Sequence, residues 1–387
     1  MIIYDIIHGN IEIGPLAEKI INTEEFQRLR NIKQLGCCNY VFPSATHTRF
    51  EHSIGVYHLS KKYIDILSKN NDNYFTDKDK KCIIIGGLIH DLGHGPYSHL
   101  FDEVVSKDIN HEYRSIKMFE FMNQKYNLNF NDDELNMIKN IIDPKNAVYL
   151  NDKKYIYQIV SNMNGIDVDR FDYIMRDIKM TGLNYGIEYE RIMNHSKIVN
   201  GEIQFLDKVK TNVEDFYRIR MIMYEEVYNH HTVRSIEYMM KKYIQKLDIL
   251  LGISEIIELE EWEKYIKLSD NIINITPFLP KSDKINELKE IVQNINERKI
   301  YKLIGEIISD DKINHNIVKV LGSYDNIIID SIKLSYYGKE KCKFIKNNKI
   351  IDHSNQQMNK DKYKVTVYCK DDNNIDEIME LFETLRI

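Results

Sequence analysis

The sequence predicts a mainly α-helical protein with one β-hairpin set into the helical part and a small α+β lobe at its C-terminal end. Three observations carry that reading. Apolar residues recur at helical spacing up to about Gly322. Asn200-Gly201 lies between alternating apolar positions, the pattern of a tight hairpin. Past Gly322 the apolar period shortens from 3.6 to 2, first in Ile332, Leu334 and Tyr336, then in Tyr363, Val365, Val367 and Cys369. The expected division is residues 1–322 for the helical domain and 323–387 for the lobe.

With 387 residues, 43% hydrophobic and 29% charged, the chain can bury a sizeable core. A formal charge of −6 argues against sequence-blind attraction to nucleic acid or to an anionic membrane, so neither is an expected partner. Five cysteines, two of them the adjacent Cys37 and Cys38, show no C-x-x-C spacing. They suit a reducing, intracellular setting, the cytoplasm ahead of the nucleus, and exclude a cysteine-rich zinc site. No signal peptide is expected, and no uncharged run is long enough to span a bilayer.

The chain opens with turn signals at Asp5, His8-Gly9 and Gly14-Pro15, then helical spacing through Leu16, Ile20, Ile21, Phe26 and Leu29. Gln27, Arg28 and Arg30 form a polar face there, whose ordinary use is solvation. Pro43 and Ser44 break the chain before Thr48, which has the spacing of a capping box with Glu51. The helix it starts holds Arg49 at its mouth and His52 in its first turn, where a histidine is ordinarily structural. Next, Ile84, Ile85, Leu88, Ile89 and Leu92 make an apolar stripe that ends at His90-Asp91. An imidazole beside a carboxylate at the end of a buried run needs a partner, and a cation suits both.

Eight of the thirteen histidines (His8, His47, His52, His58, His90, His94, His99 and His111) fall in the first 111 residues, and such clustering favours a site. Gly95-Pro96 turns the chain, which lets His94 face the same cavity as His90. Ser98, His99, Phe101 and Asp102 resume a turn in which His99 and Asp102 are within hydrogen-bonding reach, and His111-Glu112 opens a further helix. From Asn164 to Asp177, NGIDVDRFDYIMRD packs four aspartates into eleven residues. Asp169, Tyr173 and Asp177 share one side of that helix, while Asp172 and Arg176 suit an internal ion pair. After the hairpin, Arg220 and Tyr228 can be aimed at one pocket. Residues 253–323 read as helical packing around Trp262. Between Lys339 and Lys364, eight lysines against three acids make either an edge-strand defence or a phosphate-binding patch.

His52, His90, Asp91 and Asp169 supply two imidazoles and two carboxylates, a set suited to Fe, Mn, Zn or Ni, with positions left for water and substrate. Their order, H…HD…D, resembles the HD-domain metal phosphohydrolase superfamily. The longer stretches HTRFEHSIGV, GLIHDLGHGPYSH and NGIDVDRFDYIMRD resemble its deoxynucleoside triphosphate triphosphohydrolases, the sterile-alpha-motif and HD-domain (SAM/HD) branch above all. The likeness runs from DIIHGNIEI at Asp5 to VYCK at residues 367–370. No stretch is expected to form the sterile-alpha-motif domain itself.

The resemblance implies an HD-domain helical core and metal-dependent hydrolysis of a dNTP to deoxynucleoside and triphosphate, by water attack at the α-phosphate. It implies His52, His90, Asp91 and Asp169 as ligands of a divalent transition metal, with Mg accompanying the substrate phosphates. Arg49 would grip the α-phosphate, and His94, His99, Asp102 and His111 would supply proton chemistry around the phosphorus. Arg170, Tyr173 and Arg220 would contact phosphates, and Gln34 and Asp177 the sugar 3′-hydroxyl. Leu35 would crowd out a ribose 2′-hydroxyl, and Tyr228 would pack on sugar or base. The family also implies a homo-oligomer, dimer or tetramer, and a GTP or dGTP activator site at Gln27, Arg30, Lys343 and Lys346.

Two departures stand out. Arg170 replaces a family lysine, which keeps the charge and changes the geometry. Asn22 replaces an acid of the activator site, which weakens the case for guanine-nucleotide activation. Two other readings use the same residues. One is an HD-type nuclease or phosphodiesterase acting on single-stranded nucleic acid or a cyclic nucleotide, with the lysine-rich lobe on the strand. The other is a non-catalytic nucleotide sensor that keeps the metal as a staple, a role for which His94, His99, Asp102 and His111 are not required.

Overall fold

Three helices form the frame around which the rest packs: Arg49–Asn70, Asp77–Ile89 and Val168–Thr181. They belong to a computed structural model that describes residues 1–70, 74–105, 109–147, 153–163, 165–312, 315–334, 342–346, 349–352 and 362–385. Each helix starts where its sequence supplies a cap. Thr48 N–H donates to Glu51 Oε1 at 2.8 Å. Thr76 and Asp79 form a complete capping box before Asp77–Ile89, and the Asp167 side chain accepts from Arg170 N–H at the head of Val168–Thr181. Gly182, at φ 76°, ends the last of these.

The frame closes tightly because glycines stand at its crossings. A Cβ on Gly55 would lie 1.9 Å from Asp172 Oδ1, and one on Gly93 would lie 2.3 Å from Ser115 N. The first contact lets the Arg49–Asn70 helix meet Val168–Thr181, and the second lets the His111–Lys125 helix reach the turn after His90. One continuous apolar core, from Ile11 to Phe344, fills the body.

The mainly helical architecture and the hairpin are as expected. Ser196–Val199 pairs antiparallel with Glu202–Leu206, and Asn200 and Gly201 take φ of 52° and 74°, the paired left-handed conformation that a two-residue hairpin turn demands. The opening differs: around the expected turn, Ile2–Asp5 and Gly9–Glu12 form an antiparallel pair. Strands of four residues are too short to show a period.

The lobe also begins earlier than the expected boundary at 323. Strand Lys302–Ser309 and helix His315–Leu321, within the stretch expected to be helical packing, join strands Ile327–Lys333 and Tyr363–Cys369 and helix Ile375–Thr384. The Tyr363–Cys369 strand is central, antiparallel to both neighbours. The lobe has its own core of Ile304, Ile317, Leu321, Val365, Val367, Cys369, Ile378 and Phe382. Lys302–Ser309 buries only Ile304 among its residues, so it has no alternating signature. Strand Lys343–Lys346, expected in the lobe, instead runs parallel to the hairpin, Phe205 opposite Phe344, and continues into Lys349–Asp352. Tyr336 and the patch lysines Lys339, Lys341 and Lys360 lie outside the described residues.

Lobe and body are tied by Arg234, whose Nε and Nη2 donate to Asp330 at 3.0 and 3.3 Å, and by Tyr368 Oη, which donates to the His231 carbonyl at 3.2 Å. Among the described residues no helix is long and apolar enough to cross a membrane. All five cysteines are free and buried.

Candidate metal centre and active site

A cavity of about 480 Å³ opens where the three framing helices meet the turn from His90 to His99. Gln34, Leu35, Arg49, His90, Asp91, His94, His99, His111, Asp169, Tyr173, Asp177, Arg220 and Tyr228 line it. His52 is fully buried behind its floor. Arg170 is turned away, bonding the Asn162 carbonyl at 3.0 Å and pairing with Asp167 at its own helix cap.

At the floor and just beneath it, four side chains from three separate parts of the sequence converge. His52 Nε2 lies 3.1 Å from Asp169 Oδ1, 3.4 Å from Asp91 Oδ2 and 3.2 Å from His90 Nε2. His90 Nε2 lies 3.4 Å from Asp169 Oδ1 and 3.5 Å from Asp91 Oδ1. Donor atoms around one ion at bond lengths of ~2.1 Å stand roughly 3.0 Å apart in octahedral and 3.4 Å apart in tetrahedral geometry. The observed spacings, 3.1 to 3.5 Å, lie within that interval or just above it, and the donor atoms of His52, His90 and Asp169 are all mutually close enough to share one ion.

The tautomers point the same way. His52 Nδ1 donates to Asp172 Oδ2 at 2.8 Å, and His90 Nδ1 donates to the Gly87 carbonyl at 2.9 Å. Both Nε2 atoms therefore present lone pairs to each other, an arrangement that repels until a cation or proton sits between them. Burial opposes protonation of His52, yet Asp169, Asp172 and Asp91 together raise it to about 10. Burial likewise opposes and Asp91 and Asp169 raise His90. Against burial, Arg49, His90 and His94 hold Asp91 well below the usual carboxylate range. The set demands positive charge.

A second group, His94, His99, Asp102 and His111, also brings four donor atoms together. Its electrostatics are opposite. Its one carboxylate, Asp102, is taken by Arg114 and by His111 Nδ1 at 2.9 Å. Burial, Arg49 and His111 push His94 well below its ordinary pKa and push His99 down to about 4. His94 and His99 are thus kept neutral, and with Asp102 already paired the group is better suited to moving protons than to balancing a cation's charge. His94 stacks on His111 at 3.9 Å between ring centres and lies 3.2 Å from Asp91 Oδ1. The expected His99–Asp102 pairing is replaced by His111–Asp102, because the His111–Lys125 helix comes in over Gly93.

Arg49 stands between the groups. Its Nη1 donates to Asp91 Oδ2 at 2.5 Å, its Nε to Ser98 Oγ at 3.0 Å and its Nη2 to the Gln34 carbonyl at 3.4 Å. Tyr97 and Ser98 hold φ of 62° and 55°, a left-handed pair that non-glycine residues adopt only under constraint. The constraint is Asp270, which accepts from Tyr97 N–H at 2.7 Å and Lys33 N–H at 2.9 Å. Arg28 adds a bond to the His94 carbonyl at 2.7 Å.

Asp270 and Arg28 were expected to serve packing and solvation, and a single acid in a polar helical run gives no signal of this use. Two other supports escape sequence reasoning. Asp172, besides Arg176, takes His8 Nε2 at 2.7 Å as well as His52, and Asp177 takes His47 Nε2 at 2.7 Å. The histidine clustering alone could have marked His8 and His47. At the surface, Arg30 Nε donates to Gln27 Oε1 at 2.8 Å, while Lys343 pairs with Glu202 and Lys346 with Asp207.

Comparison with known proteins agrees with this geometry. The HD domain family matches residues 49–177. A deoxynucleoside triphosphate triphosphohydrolase SAMHD1 homolog of Dictyostelium discoideum is 36% identical over 358 residues, spanning 88% of this chain and 69% of the relative. HD domain-containing protein L394 of Acanthamoeba polyphaga mimivirus is 41% identical over 338 residues, spanning 78% and 72%. Deoxynucleoside triphosphate triphosphohydrolase SAMHD1 of Homo sapiens is 30% identical over 440 residues, spanning 95% and 70%. An HD domain implies a divalent metal, and the His52, His90 and Asp169 group offers it donors. By sequence over most of its length, the chain belongs to the SAMHD1 family of HD-domain proteins.

Proposed function

We infer that the protein is a metal-dependent dNTP triphosphohydrolase, which cleaves dNTP to deoxynucleoside and inorganic triphosphate. The observation that carries this reading is the meeting of His52, His90, Asp91 and Asp169 on the floor of a cavity that also presents Arg49 and Arg220. Its volume of about 480 Å³ falls within the range of small-molecule sites, and the family relatives bear the name of this activity.

His52, His90, Asp91 and Asp169 would hold the metal, a donor set that suits Fe, Mn, Zn or Ni. Bound there, a divalent ion would supply Lewis acidity, the chemistry that activates water near neutral pH and offsets phosphate charge. Arg49, fixed by Ser98 and Asp91, faces the α-phosphate, and Arg220 and Tyr173 take the outer phosphates, with Mg accompanying them. Asp102 holds His111 in the Nδ1–H form, so that its Nε2 can exchange a proton beside His94 and His99. The triphosphate charge opposes that of Arg49 and raises proton affinity in this cluster, which favours protonation of the departing 5′-oxygen. Gln34, Asp177, Leu35 and Tyr228 take the sugar end. Arg170 serves as a helix-cap partner that reaches phosphate only by leaving Asp167.

A homo-oligomer, dimer or tetramer, follows from the family resemblance of the sequence. Five free thiols support a reducing compartment, the cytoplasm. An activator at Gln27 and Arg30, with Lys343 and Lys346, would have to part the bonds those residues make now.

Chromatography of products after metal-loaded protein meets each dNTP, each NTP and single-stranded oligonucleotides, with and without GTP, tests the reading. Deoxynucleoside plus triphosphate is the expected outcome. Strand cleavage without triphosphate release would replace it with a phosphodiesterase, and no turnover of any of these would leave a nucleotide sensor.

A further inference from the structure

Asp177, in the cavity wall, has both carboxylate oxygens held by hydrogen bonds, one from behind the wall and one from within it. Oδ1 accepts from His47 Nε2 at 2.7 Å and Oδ2 accepts from Tyr228 Oη at 2.6 Å. The His47 and Asp177 side chains are each only 1% exposed. His47 does not itself line the cavity; it stands one layer behind. Its backbone serves the same corner, since its carbonyl accepts from Gln34 N–H at 3.0 Å, beside the bridge between Lys33 and Thr48. Gln34 in turn lines the cavity, with its Oε1 enclosed and lacking a hydrogen-bond partner. One histidine thus grips two of the four residues assigned to the sugar end, Asp177 by its ring and Gln34 by its main chain.

We propose that His47 is a positioning residue for nucleotide selection: it aims the Asp177 carboxylate, with Gln34, at the sugar 3′-hydroxyl. This rests on the dNTP reading above. Asp177 lies in the last turn of the Val168–Thr181 helix, and its side chain has two rotatable bonds. With Tyr228 as sole partner, the carboxylate could swing about that one contact. The His47 bond removes the freedom and leaves each oxygen a lone pair for the substrate, so recognition of the hydroxyl needs no rearrangement. A histidine that merely filled space would not be required to place its Nε2 within 2.7 Å of this oxygen.

The test compares kcat/KM for a dNTP and for the matching 2′,3′-dideoxynucleoside triphosphate, which lacks the hydroxyl. The metal-loaded wild type is expected to prefer the dNTP. In His47→Phe the dNTP value should fall by roughly 10- to 100-fold while the dideoxy value moves far less, so that the preference collapses. His47→Gln, whose amide N–H reaches near the place of Nε2, should restore part of it. With Asp177→Asn already present, His47→Phe should change the preference no further. Metal content and melting temperature are measured alongside. Equal losses for both substrates, or an unchanged ratio, would overturn the proposal and leave His47 as scaffold. Should His47→Phe fail to fold, His47→Asn and His47→Gln carry the same comparison. A wild type that hydrolyses neither triphosphate would instead overturn the dNTP reading, and this proposal with it.

Discussion

Asp172 has no oxygen to spare. Oδ2 takes His52 Nδ1 and Arg176 Nε, and Oδ1 takes His8 Nε2 and Arg176 Nη2. Four donors on one buried carboxylate hold it well below the usual range, against the effect of burial. Asp172→Asn keeps the shape but sets an amide N–H₂ against Arg176 and loosens His52. Metal retention should weaken by about 10- to 100-fold, and stability should fall by on the order of 3 kcal/mol, as when a buried pair loses one charge. Metal content after dialysis against a chelator, read with a urea unfolding curve, checks both, and unchanged retention would refute the supporting role. The sequence made half of this visible. A carboxylate and a guanidinium four residues apart on a helix are neighbours by geometry alone, whereas the partners His8 and His52 lie 164 and 120 residues away. The same limit applies to Asp270 and Tyr97, 173 residues apart. His90 and Asp91 were nonetheless legible, because an imidazole and a carboxylate ending an apolar run state an electrostatic need wherever their partners come from, whereas His52 and Asp169 joined them through the order of the motifs and the family resemblance.

At the scale of elements, local rules served well where their causes are local. The expected cap at Thr48 and the expected Asn200-Gly201 turn are each specified within four residues of sequence, and each is present; the caps at Thr76 and Asp167, which the sequence reading did not name, follow the same local rule. What sequence spacing does not encode is how closely two elements approach. On Gly93 a Cβ would meet Ser115 N at 2.3 Å and the His111 carbonyl at 2.4 Å, main-chain atoms that no rotamer change can move. Gly93→Ala should therefore push back the whole His111–Lys125 helix, drawing His111 off His94. The expected cost is about 1–3 kcal/mol of stability, with turnover down on the order of 100-fold and metal content intact. Calorimetry, metal analysis and turnover measured on one preparation decide it; wild-type turnover would show that the placement of His111 does not matter.

For the molecule as a whole, acid should act through a histidine outside the reaction. His58, its ring 5.1 Å from that of His8, is pushed down to about 4 by burial first, then by His8, Lys62 and Lys61. Between its unfolded value near 6.5 and that folded value, the unfolded chain binds the proton and the folded one does not. Stability from this ring is thus intact above about 6.5 and is lost as pH falls through the window. Solvent screening at a half-buried ring limits the loss to on the order of 1 kcal/mol. Unfolding midpoints measured from pH 7 to pH 4 should show a slope that His58→Phe flattens, and identical slopes would discard the assignment.

The path of the chain through its sheets carries a further consequence. It leaves the lobe after Lys333, lays Lys343–Lys346 against the hairpin with Lys349–Asp352 paired to that strand, and returns to the lobe at Tyr363. Lobe and body are therefore laced like two garments sharing one thread, and no single scission yields both intact. Anyone wishing to trim this molecule to its catalytic half must either cut twice and rejoin or keep the stitch and discard the cloth.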